Sequence, residues 1–129
     1  MNAHRNEDVE IDRSYDFGIL GLLSVLAENS DEGSFYNLSG RSTQQLVTMA
    51  NQASNIGEMS SNALYAVAQM MMNHDDSKAS FNNGSVGGLI ELLTDMGSCA
   101  AVVEANASHA LEQRGYSASG KCLASRKAS

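Results

Sequence analysis

Residues 46–70 read LVTMANQASNIGEMSSNALYAVAQM, and the spacing of their apolar and small side chains decides the fold. These side chains recur at alternating steps of three and four, which is the heptad-like spacing of a helix that packs along one face. The pattern predicts a helix from about residue 43 to residue 74, with Ser42 or Thr43 as its N-cap. The seam of this helix consists of Leu46, Met49, Ala53, Ile56, Ser60, Ala63, Val67 and Met70.

A second seam of matching length follows the connector DDSKASFNNGSVGG at residues 75–88. It predicts a helix from Ser85 or Val86 to about Gln113, and Gly115 is a natural C-terminal stop. Two long seams joined by about twelve residues favour an antiparallel helical hairpin, by analogy with helix bundles. This seam consists of Leu89, Leu93, Met96, Ala100, Val103, Ala107 and Ala110.

A shorter helix is predicted over residues 14–29, with Ser14 as N-cap and Asp16 in the first turn, where an acid suits the helix dipole. Gly18 and Gly21 weaken this helix, and a buried strand is the alternative. The loop that follows is expected to hold Phe35, Tyr36 and Leu38 against the core. The predicted fold class is therefore all-α: a small helical bundle made of an antiparallel hairpin of two long helices plus a shorter N-terminal helix.

Three segments are expected along the chain. Residues 1–12 are polar and acidic, which predicts a disordered N-terminus. Residues 13–113 carry the helical patterns and are predicted to form a single helical domain. Residues 114–129 contain four basic residues and no acid, and they are predicted to form a flexible basic tail.

Composition narrows the classes of function. The chain has 129 residues, no proline and no tryptophan, which favours helix. Its formal net charge is −7. Residues 1–113 contain four basic and fifteen acidic residues, which gives this segment a net charge of 4 − 15 = −11. Direct binding to a nucleic-acid backbone is therefore disfavoured. Cys99 and Cys122 form no CxxC motif, and the N-terminus lacks the pattern of a signal peptide. The apolar run at residues 19–27 is shorter than the ~20 residues of a membrane span. We expect a cytoplasmic protein that does not bind a membrane.

The long helix at residues 43–73 is unusually poor in charge, because Glu58 is its only formally charged side chain. Helices that face solvent normally carry several charges, whereas the centres of protein interfaces are depleted of them. Amides and hydroxyls take the place of charges on its polar side. The sequence therefore predicts a helix that is covered on more than one side.

Three consecutive methionines, Met70, Met71 and Met72, support the same prediction. Successive helical residues are turned by about 100°, so the three side chains cannot share one face. Either the first helix with Phe35 and Tyr36 covers this end, or a second subunit does. The predicted partner-binding residues are Leu64, Tyr65, Ala68, Met71, Met72, Glu91 and Asp95.

Candidate chemistry is sparse. His74, Asp75 and Asp76 follow the methionines directly, so their side chains diverge, and the residues read better as a polar helix stop. Glu91 and Asp95 share a helix face but lack an ExxH partner helix, which favours a solvated acidic face over a dimetal site. No catalytic, cofactor-binding or metal-binding residue is predicted, and the protein is not expected to be an enzyme.

The leading hypothesis is a non-catalytic protein-binding module, an inhibitor or regulator of a larger protein or complex, of the type that phages and mobile elements encode. A homodimer is expected. One alternative is an acidic nucleic-acid mimic that blocks a nucleic-acid-binding protein. Another is a metal protein or enzyme that uses Glu91 and Asp95 with His109 or His74.

Overall fold

A computed structural model describes residues 7–15, 18–28, 38, 40–73 and 83–123. These residues contain three helices: α1 (Gly18–Glu28), α2 (Thr43–Met72) and α3 (Asn83–Gln113). The two long helices pack against each other along most of their length, and α1 contacts both of them. The predicted small all-α bundle is confirmed.

The start of α2 is fixed by a capping box. The Ser42 hydroxyl accepts a 3.0 Å hydrogen bond from the backbone N–H of Gln45, and the Gln45 side chain accepts one of 3.0 Å from the backbone N–H of Ser42. Two of the backbone N–H groups that lack a partner at a helix start are satisfied in this way. The predicted N-cap at Ser42 is confirmed.

The end of α3 is fixed by a glycine in the left-handed region. Gly115 has φ +87°, and its N–H donates to the carbonyl oxygen of Glu112 at 3.0 Å. The next N–H, that of Tyr116, reaches back to the carbonyl of Leu111 at 2.9 Å. This pair of bonds is a Schellman motif, so the predicted stop at Gly115 is confirmed.

The first helix begins later than predicted, at Gly18 rather than near Ser14. Both the backbone N–H and the hydroxyl of Ser14 donate to Oδ1 of Asp12, at 3.0 and 2.6 Å, so Ser14 closes a turn and does not cap the helix. The N–H of Gly18 donates instead to Oε1 of Gln52 on α2, at 2.7 Å. A side chain 34 residues away therefore positions the start of α1. Asp16 lies outside the described residues.

The hydrophobic core occupies only one half of the hairpin. It joins α1 and Leu38 to the first half of α2 and the second half of α3. The α2 seam is buried from Leu46 to Ser60, half-buried at Ala63 and Val67, and exposed at Met70. The buried apolar residues of the core are Leu22, Val25, Leu38, Leu46, Val47, Met49, Ala50, Ala53, Ile56, Ala100, Val103, Ala107 and Leu111.

The described parts of the two predicted terminal segments, residues 7–12 and 114–123, lie near the core and contact each other. The N–H of Val9 donates to the carbonyl of Gly120 at 2.7 Å, and the N–H of Cys122 donates to Oδ1 of Asp8 at 2.8 Å. Cys122 is buried, and the N–H of Asp12 is bound by the hydroxyl of Thr48 on α2 at 2.8 Å. Each of these polar segments therefore provides hydrogen-bond partners for the other. The remaining residues of both predicted segments lie outside the described part of the chain.

Candidate interaction surface on the distal half of the hairpin

Among the described residues, α1 and the terminal segments cover mainly the proximal half of the hairpin. The first helix lies against α2 at Gln52 and buries Leu22 and Val25. The terminal segments lie against α2 at Val47 and Thr48. We call the remainder, residues 57–72 of α2 and 84–98 of α3, the distal half. Its helices retain the apolar pattern of the core, and the described residues leave more of that pattern exposed there.

Large apolar side chains lie exposed on this distal half. Their exposed fractions range from 44% to 79%, the highest being that of Met72. Single exposed apolar residues are normal on a monomer, whereas large contiguous apolar patches are typical of interaction sites. We define the distal apolar surface by its seven members: Met59, Tyr65, Met70, Met71, Met72, Leu89 and Leu92.

The residues predicted to bind a partner fall on two helices. On α2, Leu64 is half-buried, and the other four, Tyr65, Ala68, Met71 and Met72, are exposed. On α3, Glu91 and Asp95 are both exposed. Glu91 is turned about 200° around its helix from the seam residue Leu89, so the acidic pair lies on the side away from α2. We expected the first helix, together with Phe35 and Tyr36, to cover the methionines. Phe35 and Tyr36 lie outside the described part of the chain, so their contribution stays a prediction.

A groove of about 710 Å³ runs between α2 and α3 on the side that α1 does not cover. Small residues recur at every fourth position on both of its walls. On α2 these are Ala53, Gly57 and Ser61, and on α3 they are Gly97, Ala101 and Ala105. We call this the small-residue groove. The sequence predicts small residues in the seam, but this row beside the seam emerges only when both helices are placed together.

A second groove of about 420 Å³ lies on the opposite side, where the start of α1 meets the hairpin. Its lining is almost wholly apolar and includes Met59 of the distal apolar surface. Other contributors are Ile19, Ile56, Ala63, Leu93 and Met96. The apolar surface therefore continues from the distal half to the exposed edge of α1.

The charges on the two long helices have one sign. Neither α2 nor α3 contains lysine or arginine, while Glu58, Glu91, Asp95, Glu104 and Glu112 are all acidic. Two of these, Glu58 and Glu104, border the small-residue groove. A partner that approaches this groove meets negative charge on both walls.

Metal-binding chemistry finds no support in the part of the chain that the structure describes. No three His, Cys, Asp or Glu side chains converge there. His109, considered with Glu91 and Asp95 as an enzyme site, lies 3.4 Å from the Gln113 amide nitrogen, a neighbour on its own helix. His74, Asp75 and Asp76 lie outside the described residues. Cys99 and Cys122 are not joined by a disulfide.

The apolar run at residues 19–27 is too short to span a membrane, but α3 is a longer apolar helix. Residues Gly84–Gln113 contain an 18-residue window with a mean hydropathy of 1.5, so this helix has the length and composition to cross a membrane. Only 11% of that window is buried inside the protein. This is weak evidence, because length and composition alone do not separate a spanning helix from a helix that binds another protein.

Comparisons with known proteins identify no relative. No protein-family model matches the chain, and no curated protein or solved structure shows significant similarity to it.

Proposed function

We propose that the protein is a non-catalytic protein-binding module that docks the distal half of its hairpin onto a larger protein and inhibits or regulates it. The observation that carries this proposal is the distal apolar surface, where the apolar pattern of α2 and α3 continues beyond the buried core that the described residues form. A role in phage or mobile-element biology remains part of the proposal and rests on the small size and acidic character of the chain.

Burial of the distal apolar surface would offset part of the cost of association. Full burial of a large apolar side chain contributes about 1.5–3 kcal/mol, and these seven side chains are roughly half exposed. Burial of the whole surface would therefore contribute roughly 5–10 kcal/mol, which is comparable to the estimated 4–15 kcal/mol cost of association. Methionine fits varied partner shapes because its side chain is flexible and polarizable. A stable complex on this surface needs further contacts, which the adjoining grooves offer.

A nucleic-acid mimic is the second candidate, and the acid-only charge of the hairpin is what favours it. Duplex DNA carries one negative charge per about 1.7 Å of axis, whereas α3 spans about 46 Å. Together, α2 and α3 place five acids along that length, where DNA would place about 27 charges. The helices carry far fewer charges per unit length than a DNA duplex. This difference supports docking through apolar side chains bordered by acids rather than mimicry of a duplex.

We also propose that the protein is soluble and cytoplasmic and does not bind a membrane. The apolar helix α3 carries Glu91, Asp95, Glu104 and Glu112, and a charged residue at the centre of a membrane helix costs about 2.5–3.5 kcal/mol on insertion scales. Docking against a protein covers the apolar seam of α3 and leaves its acids in water. The charge of α3 therefore supports a protein partner.

A homodimer remains the proposed alternative assembly, since a second copy would also cover the distal apolar surface. Light scattering distinguishes the two, because a dimer has twice the 13.7 kDa mass of the chain. The single sign of charge on the hairpin favours a different partner, because a second copy opposes acids with acids.

The test is affinity capture from the native cell with matched variants. Met71→Ser combined with Met72→Ser removes apolar surface from two exposed positions, so the fold should persist while capture of a specific protein falls at least tenfold. Ile11→Ser is the matched control, because Ile11 is an exposed apolar residue on the N-terminal segment, outside the distal apolar surface and α1. Equal capture by the wild type and the methionine variant would refute the proposal.

A further inference from the structure

We propose that the distal half of the hairpin opens as one unit while the proximal half, residues 43–56 and 99–113, stays folded. In this opening the two distal helix segments separate and lose helical structure, because short isolated helices are marginal in water. The inference goes beyond the proposed function, since it concerns the chain without a partner. Three observations carry it: the position of the buried core, the contact at the edge of that core and the distribution of glycine.

The buried core ends near the middle of the hairpin. Among the described residues, Ser60 is the last buried residue of α2 and Ala100 is the first buried residue of α3. Beyond them the seam is only half-buried, at Ala63, Val67 and Leu93. Regions with few buried apolar contacts open at a lower free energy than the core does. The described part of the distal half therefore resists opening less than the proximal half.

The contact at the edge of the core is weak. Ser60 faces Gly97 across the two helices, since a Cβ atom added to Gly97 would lie 3.6 Å from Cβ of Ser60. The Ser60 side chain is 3% exposed, and within the described part of the chain its Oγ atom has no hydrogen-bond partner. A buried hydroxyl without a partner destabilises the closed state, because opening restores its hydrogen bond to water. Serine and glycine also bury little apolar area where the two helices meet.

Glycine is confined to the distal half of the two long helices. Gly57 lies on α2, and α3 contains Gly84, Gly87, Gly88 and Gly97, whereas the proximal segments of both helices contain none. Glycine is the least favourable helix residue after proline, because it loses the most backbone freedom on folding. Cβ atoms added to Gly57, Gly87 and Gly88 meet no described atom within 4 Å, so packing does not require glycine there. These residues lower the helical stability of the distal half alone.

The proximal half is held by hydrogen bonds between different elements. Nη1 of Arg114, the residue after α3, donates to Oγ1 of Thr43 at 3.2 Å and joins the end of α3 to the start of α2. The N–H of Gly18 donates to Oε1 of Gln52 at 2.7 Å and ties α1 to the same part of α2. Neither bond involves the distal half, so both persist when the distal half opens.

Opening enlarges the apolar surface of the distal half. Val67 and Leu93 are half-buried in the closed hairpin, and they become accessible beside the distal apolar surface when the helices separate. A partner that binds these side chains would shift the population toward the open state. This consequence, unlike the opening itself, rests on the proposed function.

Native-state hydrogen exchange of the full chain tests the opening, with NMR of the backbone amides in low concentrations of urea. After correction for intrinsic rates, amides of residues 63–69 and 89–95 should exchange at least tenfold faster than those of residues 46–53 and 103–111. The distal amides should share one dependence on urea, smaller than that of the proximal amides, because their opening exposes less surface. A rate that instead rises steadily toward Met72 would show fraying of the helix ends and would overturn the inference.

Two variants distinguish a separate opening from unfolding of the whole chain. Ser42→Ala removes the cap of the proximal segment of α2, so it should accelerate exchange of the proximal amides about fivefold and leave distal exchange unchanged. Gly88→Ala stabilises the closed state relative to both the open and the unfolded state, so it should slow exchange in both halves by the same factor, about fourfold.

Two further results would overturn the inference. Acceleration of both halves by Ser42→Ala would show that the hairpin unfolds only as a whole. Equal exchange in the two halves of the wild type would show the same.

Discussion

The backbone N–H of Cys122 donates a 2.8 Å hydrogen bond to Oδ1 of Asp8, a residue 114 positions earlier in the chain. Beside it, the N–H of Val9 donates to the carbonyl oxygen of Gly120 at 2.7 Å. The two terminal segments are thus tied to each other, and they cover one side of the hairpin at its proximal half. In the part of the chain that the structure describes, these segments contact α2 at Val47 and Thr48, within the proximal half.

Substitution of Asp8 tests this terminal pairing. Because the carboxylate accepts a backbone N–H beside buried Cys122, Asp8→Ala should lower the free energy of unfolding by about 1.5–3 kcal/mol. Lys121→Ala is the control: its ammonium lies 3.4 Å from the same carboxylate, but both side chains are at least half exposed, so its loss should cost less than about 1 kcal/mol. Urea unfolding measures both. Equal effects would show that the surface ion pair, and not the part-buried hydrogen bond to Cys122, holds the termini.

Alanine substitutions at two glycines with positive φ distinguish the cost of backbone strain from the cost of a close contact. Gly115 and Gly120 both have φ +87°. A Cβ atom at Gly115 meets open space, so Gly115→Ala should cost about 1–2 kcal/mol of conformational strain. A Cβ atom at Gly120 would overlap the carbonyl oxygen of Val9, so Gly120→Ala should cost about 3 kcal/mol or more. Thermal unfolding of the two variants checks this order, and a Gly120→Ala variant as stable as Gly115→Ala would contradict it.

The capping box of α2 makes a smaller prediction. Ser42→Ala removes the hydroxyl that accepts the Gln45 N–H, and it should lower the free energy of unfolding by about 1 kcal/mol. Ser54→Ala, at an exposed position inside the same helix, should change it by less than about 0.5 kcal/mol. Denaturant unfolding distinguishes the two. Similar values for both variants would mean that the cap does not stabilise α2.

Asp12 predicts an acid-dependent loss of stability. Hydrogen bonds from the side chain and the backbone N–H of Ser14 hold the pKa of the Asp12 carboxyl below its usual value. A group whose pKa is lower in the folded state contributes stability above its unfolded pKa and loses that contribution as the pH falls through the folded pKa. Unfolding measured between pH 5 and pH 2 should therefore show a smaller loss for Asp12→Asn than for the wild type. Parallel pH curves would contradict this assignment.

Much of the helical framework was predictable, because its signals are local. The seams of α2 and α3 follow from residue spacing, and the ends at Ser42 and Gly115 follow from residues that cap helices in any context. The start of α1 was not predictable from its own sequence. It depends on Gln52, a residue that approaches only after α2 is packed.

The contacts of the terminal segments and the extent of the distal apolar surface were less accessible to sequence reasoning. Residues 7–12 resemble a disordered acidic lead, because the partner of Asp8 lies at the other end of the chain. Periodicity identified the side of α2 that needs cover, but not where that cover ends. The seam therefore predicted burial of Met70, whereas the structure leaves it exposed.

The central claim is that the distal half of the hairpin binds another protein, and site-specific photo-crosslinking in the native cell tests it most directly. The photoreactive residue p-benzoylphenylalanine would replace either Tyr65, which is exposed on the distal half, or Glu112, which is exposed at the proximal end of α3. The account predicts a covalent adduct to one specific protein from position 65 and none from position 112. Adducts from position 112 alone, equal adducts from both positions, or none from position 65 would contradict it.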